Sequence, residues 1–131
     1  MEGNSRLRTL IGSPLRIGLG GEGVLRTYGM EHEAFAVLEA AYSSGIRYYD
    51  SAPAYSGSEQ YYGHFWDQHP EWKGHSFQTS KSAKRDARGA NADLERTLSR
   101  MGRESLGLWQ IHDVRDHSDI RQIEGHVGFP K

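Results

Sequence analysis

Several features that often define a small protein are missing from this sequence. It has no cysteine, which excludes a disulfide framework and agrees with a cytoplasmic location. Neither sign of charge is in excess, because 16 Lys and Arg stand against 17 Asp and Glu, so a nucleic acid or an anionic membrane is not expected as a partner. No apolar run approaches the ~20 residues of a membrane helix, and the first residues lack the apolar segment of a secretory signal. We therefore expect a soluble, cytoplasmic protein.

Aliphatic side chains are also scarce. Leu, Ile, Val and Phe make up only 24 of the 131 residues, below the ~20% at which disorder becomes a concern. The net charge of −1 argues against disorder, and 7 tyrosines and 3 tryptophans partly replace the missing aliphatic residues. The sequence therefore predicts one folded domain with a lean core, which is either marginal or part of something larger.

Short β-prone runs alternate with helical patterns at a spacing of roughly 30 residues. Strands are predicted at 15–19, 46–50, 76–81 and 106–112, and helices at 32–44, 58–66 and 90–101. We expect Ser58 to cap the second helix and Gly102 to end the third. Other segments are predicted as a polar loop (67–75), a charged turn (84–88) and a disordered tail (125–131). This alternation predicts right-handed βαβ units and a parallel sheet.

Four polar side chains end or follow the predicted strands. Asp50 ends the second strand, Tyr55 lies five positions further on, Lys81 ends the third strand and His112 ends the fourth. The C-terminal strand ends of a parallel barrel form one face, so these side chains are expected to converge. An acid, a phenol, an amine and an imidazole together suggest proton transfer. Lys81 can pair with Asp50 and favour the tyrosinate, which makes Tyr55 a usable general acid near neutral pH.

Each of these residues also has a simpler structural explanation. Tyr55 is one of seven tyrosines and lies in a turn rich in Ser and Gly. A lysine at a strand end is commonly solvated, and a half-buried histidine can serve packing alone. An aspartate before Ser51-Ala-Pro53 can form a turn or cap a helix. The joint placement of the four at successive strand ends favours a functional site.

Four segments resemble the aldo-keto reductase family and follow the order of that family. They are Ile17-Gly-Leu-Gly-Gly-Glu-Gly23, Gly45-Ile-Arg-Tyr-Tyr-Asp-Ser-Ala-Pro-Ala-Tyr-Ser-Gly-Ser-Glu59, Thr79-Ser-Lys81 and Leu108-Trp-Gln-Ile-His112. The resemblance implies a parallel (β/α)8 barrel of the TIM type that uses NADP(H) to reduce a small carbonyl compound or to oxidise an alcohol. It also implies that Tyr55 gives the proton to the carbonyl oxygen, that Lys81 and Asp50 tune Tyr55, and that His112 orients the substrate.

The resemblance covers only part of a barrel. A whole barrel has eight strands and roughly 250 residues, whereas about four βα units are predicted here. Gly20, Gly21 and Asp50 are the positions that the resemblance implies beside the cofactor, but the half that holds the dinucleotide phosphates has no counterpart. Position 107 is Gly where relatives usually carry Asp, which implies a looser fourth strand. Residues 1–131 are therefore expected to form a single partial domain, an N-terminal half-barrel.

Two classes of function remain open for such a half-barrel. One is a truncated or split NADP-dependent oxidoreductase that is inactive by itself. The other is a non-catalytic fragment or module that acts only by association, either with further copies of itself or with a C-terminal half-barrel. The four site residues that the resemblance implies, Asp50, Tyr55, Lys81 and His112, are all present, which favours the first by ancestry. The missing half of the cofactor site favours the second for the isolated chain.

A dinucleotide-binding fingerprint of the Rossmann type is a competing interpretation of one segment. Gly18-x-Gly20-x-x-Gly23 matches it formally and follows a predicted strand. In that motif a helix opens at the glycines and meets the pyrophosphate. Here residues 24–29 precede any helical pattern, and Glu22 would repel a phosphate, so this interpretation is weaker.

Metal and nucleic-acid sites are weaker still. Several possible ligands occur close together in sequence, namely His64, Asp67, His69, Glu71 and His75, but none of the histidines has helical i, i+4 spacing to another. The pairs His112-Asp113 and Asp116-His117 have no third cluster to support them. Residues 81–88 are basic without interleaved aromatic residues, so a solvated turn is expected there.

Overall fold

Helices and parallel strands alternate along the part of the chain that the computed structural model describes, which is Thr9 and residues 16–127, with side chains to Gly125. Three parallel strands pair in the order β1-β2-β3, namely β1 (Tyr48–Tyr49), β2 (Phe77–Ser82) and β3 (Leu108–Ile111). The helices are α1 (Glu31–Ser43), α2 (Ser58–Gln68), α3 (Pro70–Gly74), α4 (Ala87–Met101) and α5 (His117–Val127). The prediction of an α/β half-barrel is confirmed.

The first predicted strand, at 15–19, is much shorter than expected. Only Leu19 pairs with the sheet, through a parallel bridge to Tyr49. In this bridge the Leu19 amide donates to Tyr48 O and the Asp50 amide donates to Leu19 O, each at 2.9 Å. The glycines on both sides of Leu19 weaken a strand because they offer no side chain for packing. Residue 15 lies outside the described residues.

Residues 67–75 do not form the predicted loop. Helix α2 continues to Gln68, and α3 follows with Pro70 at its start. A proline at the first helical position favours a helix because its missing N–H is not needed there, although it would break a helix interior. The Trp72 ring of α3 stacks on Tyr42 with centroids 4.4 Å apart, which ties this short helix to the core.

Helix α4 begins earlier than the predicted residue 90. Asp86 ends the charged turn and caps the helix, because its Oδ1 accepts a hydrogen bond from the Gly89 amide at 2.7 Å. Gly102 ends α4 in the left-handed conformation, as predicted, with φ of 59°.

Helix α5 was not predicted, although Ile120, Ile123 and Val127 recur at helical spacing in its sequence. Asp116 Oδ1 accepts hydrogen bonds from the amides of Ser118 and Asp119 at 2.8 and 3.0 Å, so a capping aspartate starts this helix. The helix extends into the predicted tail as far as Val127. Residues 128–131 lie outside the described residues.

Aromatic side chains build much of the core. Trp66 is fully buried and meets Tyr49 and Phe65 edge-on, with ring centroids 5.0 and 5.2 Å apart. Its Nε1 donates to Gln78 Oε1 at 2.9 Å, so the buried indole N–H is satisfied. These contacts explain how a chain with few aliphatic residues buries a core.

Strand β2 carries buried polar side chains on both of its faces. On the helix side, Ser80 Oγ donates to Glu59 Oε1 at 2.7 Å. Thr79 and Lys81, which alternate with Ser80 along the strand, instead contact Asp50. Because side chains alternate along a strand, β2 has one polar face packed against the helices and another polar face inside the half-barrel.

Gly107, which we expected to loosen the fourth strand, lies immediately before β3. Residues 79–82 of β2 pair in register with all four residues of β3, and the Gly107 amide donates to Gln78 O at 2.8 Å. A Cβ at position 107 would lie 2.7 Å from the Phe77 ring. The ring occupies the space that a side chain at position 107 would need.

Candidate active site

The polar residues predicted from the strand ends lie together in the structure. Asp50 follows β1, Lys81 lies near the end of β2, His112 follows β3, and Tyr55 lies in the loop between β1 and α2. All three strands run parallel, so the carboxyl ends of the strands, and the loops that follow them, share one edge of the sheet.

Lys81 and Asp50 form the ion pair that the sequence suggested. Lys81 Nζ donates to Asp50 Oδ2, and to the Ser51 carbonyl at 2.9 Å. The two side chains are only 11% and 25% exposed, so water screens their attraction weakly. The pair fixes an ammonium group in a partly desolvated position.

Two further residues hold the other oxygen of Asp50, and sequence reasoning missed both. Thr79 Oγ1 donates to Asp50 Oδ1 at 2.6 Å, and Gln110 Nε2 donates to the same oxygen at 3.0 Å. Thr79 lies two residues before Lys81, and Gln110 lies two residues before His112. Strand periodicity places such residues on the same face and could have identified them.

Tyr55 is half-buried, and its ring is surrounded by polar and cationic groups. Lys81 Nζ lies 4.9 Å from the ring centroid, and the His112 ring meets it edge-on at 5.5 Å and 86°. Arg26 Cζ lies 5.2 Å from the same centroid, a contact that sequence reasoning missed. Arg26 also pairs with Glu22 at 3.0 Å. Two cations therefore lie within cation–π distance of the phenol ring.

The pKa of His112 is lowered from its ordinary value. Burial is the main cause, and the Lys81 cation adds to it, against the opposing effects of Asp113 and Asp50. The imidazole is therefore neutral near pH 7 and can donate or accept one hydrogen bond.

The two glycines predicted beside a cofactor differ in their surroundings. Gly21 is buried, and a Cβ there would lie 2.7 Å from Asp50 O and 2.6 Å from Ser58 Oγ. Ser58 is not the cap of α2 that we predicted, since Gly57 holds that position and Ser58 Oγ accepts from Ser51 Oγ at 2.8 Å. Gly20 is exposed, and a Cβ there would meet no atom within 4 Å. Gly21 thus serves close packing, whereas Gly20 leaves an open surface.

The described residues also bear on the competing interpretations of the sequence. A short 3-10 helix, Gly23–Leu25, follows the glycine segment and α1 begins only at Glu31, so no α-helix opens at the glycines as the Rossmann fingerprint requires. Across the described ranges, no group of three His, Asp or Glu side chains could hold a metal ion. Within those ranges, every helix is too short or too polar to span a bilayer.

The fold and the site first define a class, an α/β half-barrel whose strand ends gather an acid, an amine, a phenol and an imidazole. The sequence profile of the Aldo/keto reductase family matches residues 16–127. The chain therefore belongs to the aldo/keto reductase family.

Solved structures resemble the chain over less than half of their own length. A Pseudomonas aeruginosa protein assigned to the aldo-keto reductases superposes with a TM-score of 0.69 at 27% identity, covering 86% of this chain and 46% of that one. An aldo-keto reductase from Klebsiella pneumoniae in complex with NADPH gives 0.65 at 19% identity, covering 82% and 39%. Aldose reductase from Giardia lamblia gives 0.59 at 22%, covering 82% and 37%. The last two show the fold alone. Comparison with curated proteins gives no significant match.

Proposed function

We propose that this chain supplies the acid–base half of an NADP-dependent oxidoreductase that reduces a small carbonyl compound or oxidises the corresponding alcohol. The observation that carries the proposal is the gathering of Asp50, Tyr55, Lys81 and His112 at one edge of the sheet. Family membership and the NADPH complex of the Klebsiella pneumoniae protein support the cofactor. A cytoplasmic location belongs to the same proposal.

The donor set of the site fits the reacting end of such a cofactor. We assign Gly20, Gly21 and Asp50 to its contacts, with the open surface at Gly20 leaving room and Gly21 contributing only backbone. A bound nicotinamide dinucleotide supplies a hydride for the carbonyl carbon.

The residues of this chain carry out the proton transfer. Tyr55 donates its phenolic proton to the carbonyl oxygen, and the adjacent Lys81 cation stabilises the tyrosinate that remains. Asp50, held by Thr79 and Gln110, keeps the Lys81 ammonium in place. The neutral His112 imidazole orients the carbonyl oxygen by a hydrogen bond.

A fusion experiment tests this proposal. The C-terminal half of the Pseudomonas aeruginosa relative is joined after the matched region of this chain, and NADPH oxidation is followed with a panel of aldehydes and ketones. We expect turnover by the folded fusion and none by the isolated chain, which spans 46% of that relative. A fusion that melts cooperatively and binds NADPH, yet reduces no carbonyl on the panel, would contradict the proposal.

A further inference from the structure

Arg85 links the loop after β2 to the loop after β3 by a forked set of contacts. Its Nη1 donates to His112 O and its Nη2 donates to Asp113 O, both at 2.9 Å. Its Nε lies 3.4 Å from Asp119 Oδ1. The side chain is only 16% exposed, although the sequence suggested a solvated turn. Three different acceptors therefore hold one guanidinium group.

The backbone at Asp113, whose carbonyl oxygen accepts a hydrogen bond from Arg85, has an unusual conformation. Asp113 has φ of 61°, a left-handed backbone conformation that residues other than glycine adopt less often. Such a conformation costs free energy, which the surrounding contacts must offset. The Asp113 carboxylate binds Arg115 through a contact of 2.9 Å to Nε and one of 2.7 Å to the guanidinium. The Arg115 amide in turn donates to Asp119 Oδ2 at 2.8 Å. These contacts close a ring that returns to Arg85 through Asp119.

This ring fixes the residue that carries the imidazole of the site. The His112 amide donates to Ser82 O at 2.8 Å, and its carbonyl is held by Arg85, so the peptide groups on both sides of its Cα are anchored. The imidazole then meets the Tyr55 ring edge-on. We propose that Arg85 is a positioning residue that sets the orientation and burial of His112. Its importance for turnover rests on the function proposed above, but its structural action does not.

A lysine could not replace Arg85 in this role. The planar guanidinium reaches two carbonyl oxygens and a carboxylate at once, whereas an ammonium is a point charge on a flexible stem. Arg85→Lys therefore keeps the charge and removes the fork. Arg85→Gln removes both. Comparing the two variants separates positioning from electrostatics.

His112 itself reports the outcome, because its titration depends on its surroundings. The charged and titratable groups that face it are Lys81 from β2, Asp50 from the end of β1, Tyr55 from the following loop, Asp113 from its own loop, and Arg85. Loss of burial raises the pKa of a histidine, and loss of a neighbouring cation does the same. Both variants are therefore expected to move the titration of His112 upwards.

The test is an NMR titration of the 131-residue chain that follows the imidazole resonances of His112 and its contact with Tyr55. We expect both Arg85→Lys and Arg85→Gln to raise the midpoint of His112 by roughly half a pH unit and to weaken the contact with the Tyr55 ring. Arg88→Gln is the control, because Arg88 is an exposed cation three residues further along the chain.

Two results would overturn the inference. One is an unchanged midpoint and an unchanged Tyr55 contact in Arg85→Lys, which would show that charge alone suffices. The other is a shift of the His112 midpoint in Arg88→Gln that equals the shift in the Arg85 variants, which would show that the effect is not specific to Arg85. If Arg85→Gln fails to fold, Arg85→Lys decides the question by itself, since it preserves charge and nearly all of the side-chain length. None of these results requires catalysis, so a failed fusion enzyme would not be mistaken for a failed positioning role.

Discussion

Tyr55 is the side chain on which the proposed chemistry depends most directly. Replacing it with phenylalanine in the fused barrel keeps the ring and removes the proton. We expect carbonyl reduction to fall by about 10²–10⁴-fold, the usual contribution of general acid catalysis, with little change in NADPH affinity. Steady-state kinetics and calorimetry measure the two quantities. Near-full turnover by Tyr55→Phe would remove Tyr55 from its assigned role.

His112 is expected to make the stability of the chain depend on pH. Its pKa is lowered in the folded state by burial and by Lys81, so the unfolded state takes up the proton first as the pH falls. Stability is therefore lost as the pH drops through the ordinary value of ~6.5, down to the lowered value in the folded state.

The comparison with His112→Asn isolates this effect from the other histidines. Urea unfolding from about pH 8 to about pH 5 should show that the wild-type chain loses its advantage over the variant as the pH falls. Parallel stability curves for the two proteins would show that His112 titrates alike in both states.

At the residue scale, the sequence predicted those site residues whose position follows from the order of the strands. Asp50, Lys81 and His112 were found because parallel strands end at one edge. Their supports were missed for different reasons. Thr79 and Gln110 look like ordinary strand residues, and Arg26 and Arg85 lie in loops whose paths the local sequence does not define.

Among the elements, helices α2 and α4 approach each other closely at a single glycine. A Cβ on Gly63 would lie 2.1 Å from the Arg100 carbonyl oxygen, a backbone atom that cannot rotate away. We expect Gly63→Ala to lower the free energy of unfolding by about 1–3 kcal/mol through overpacking.

Gly74 provides the matched control at the end of α3. A Cβ there meets nothing within 4 Å, so Gly74→Ala should change stability by no more than about 0.5 kcal/mol. Chemical denaturation of both variants measures the difference. Equal losses in the two would mean that the contact between α2 and α4 is looser than the structure has it.

Element prediction succeeded for three helices and failed for two others that begin at local signals. Helices α1, α2 and α4 carry apolar stripes and were found. Helix α3 depends on a proline at its start, and α5 begins at the Asp116 cap and carries Ile120 and Ile123 three residues apart. Such local signals are short, so a pattern-based prediction mistakes them for loops.

At the scale of the whole molecule, the described sheet has an edge along β3 that pairs with no further strand. Among the described residues, β3 pairs only with β2, and Leu108 and Ile111 are 44% and 55% exposed. A free strand edge with apolar neighbours invites pairing with another chain. We expect the isolated chain to self-associate, which light scattering would detect as a mass above 14.8 kDa. A monomer with a sharp thermal transition would contradict this prediction.

The same open architecture leads us to expect weak binding of a dinucleotide by the isolated chain. Dinucleotide affinity comes largely from charge-assisted contacts to phosphate, each worth ~1.5–3 kcal/mol. Losing two or three of them weakens binding by several powers of ten, since ~1.4 kcal/mol is tenfold. We expect no tight binding of NADPH by this chain in calorimetric titration. A micromolar dissociation constant would show that the half-barrel is sufficient for cofactor binding.

The contact between Gly107 and Phe77 has an evolutionary consequence. Because the Phe77 ring lies where a side chain at position 107 would begin, we expect changes at the two positions to be coupled. Introducing Asp at 107 would require the ring to move or to be replaced by a smaller side chain. Among relatives of this chain, glycine at the first position should therefore accompany an aromatic residue at the second. A relative with an acidic residue at the first position is expected to carry a smaller side chain at the second.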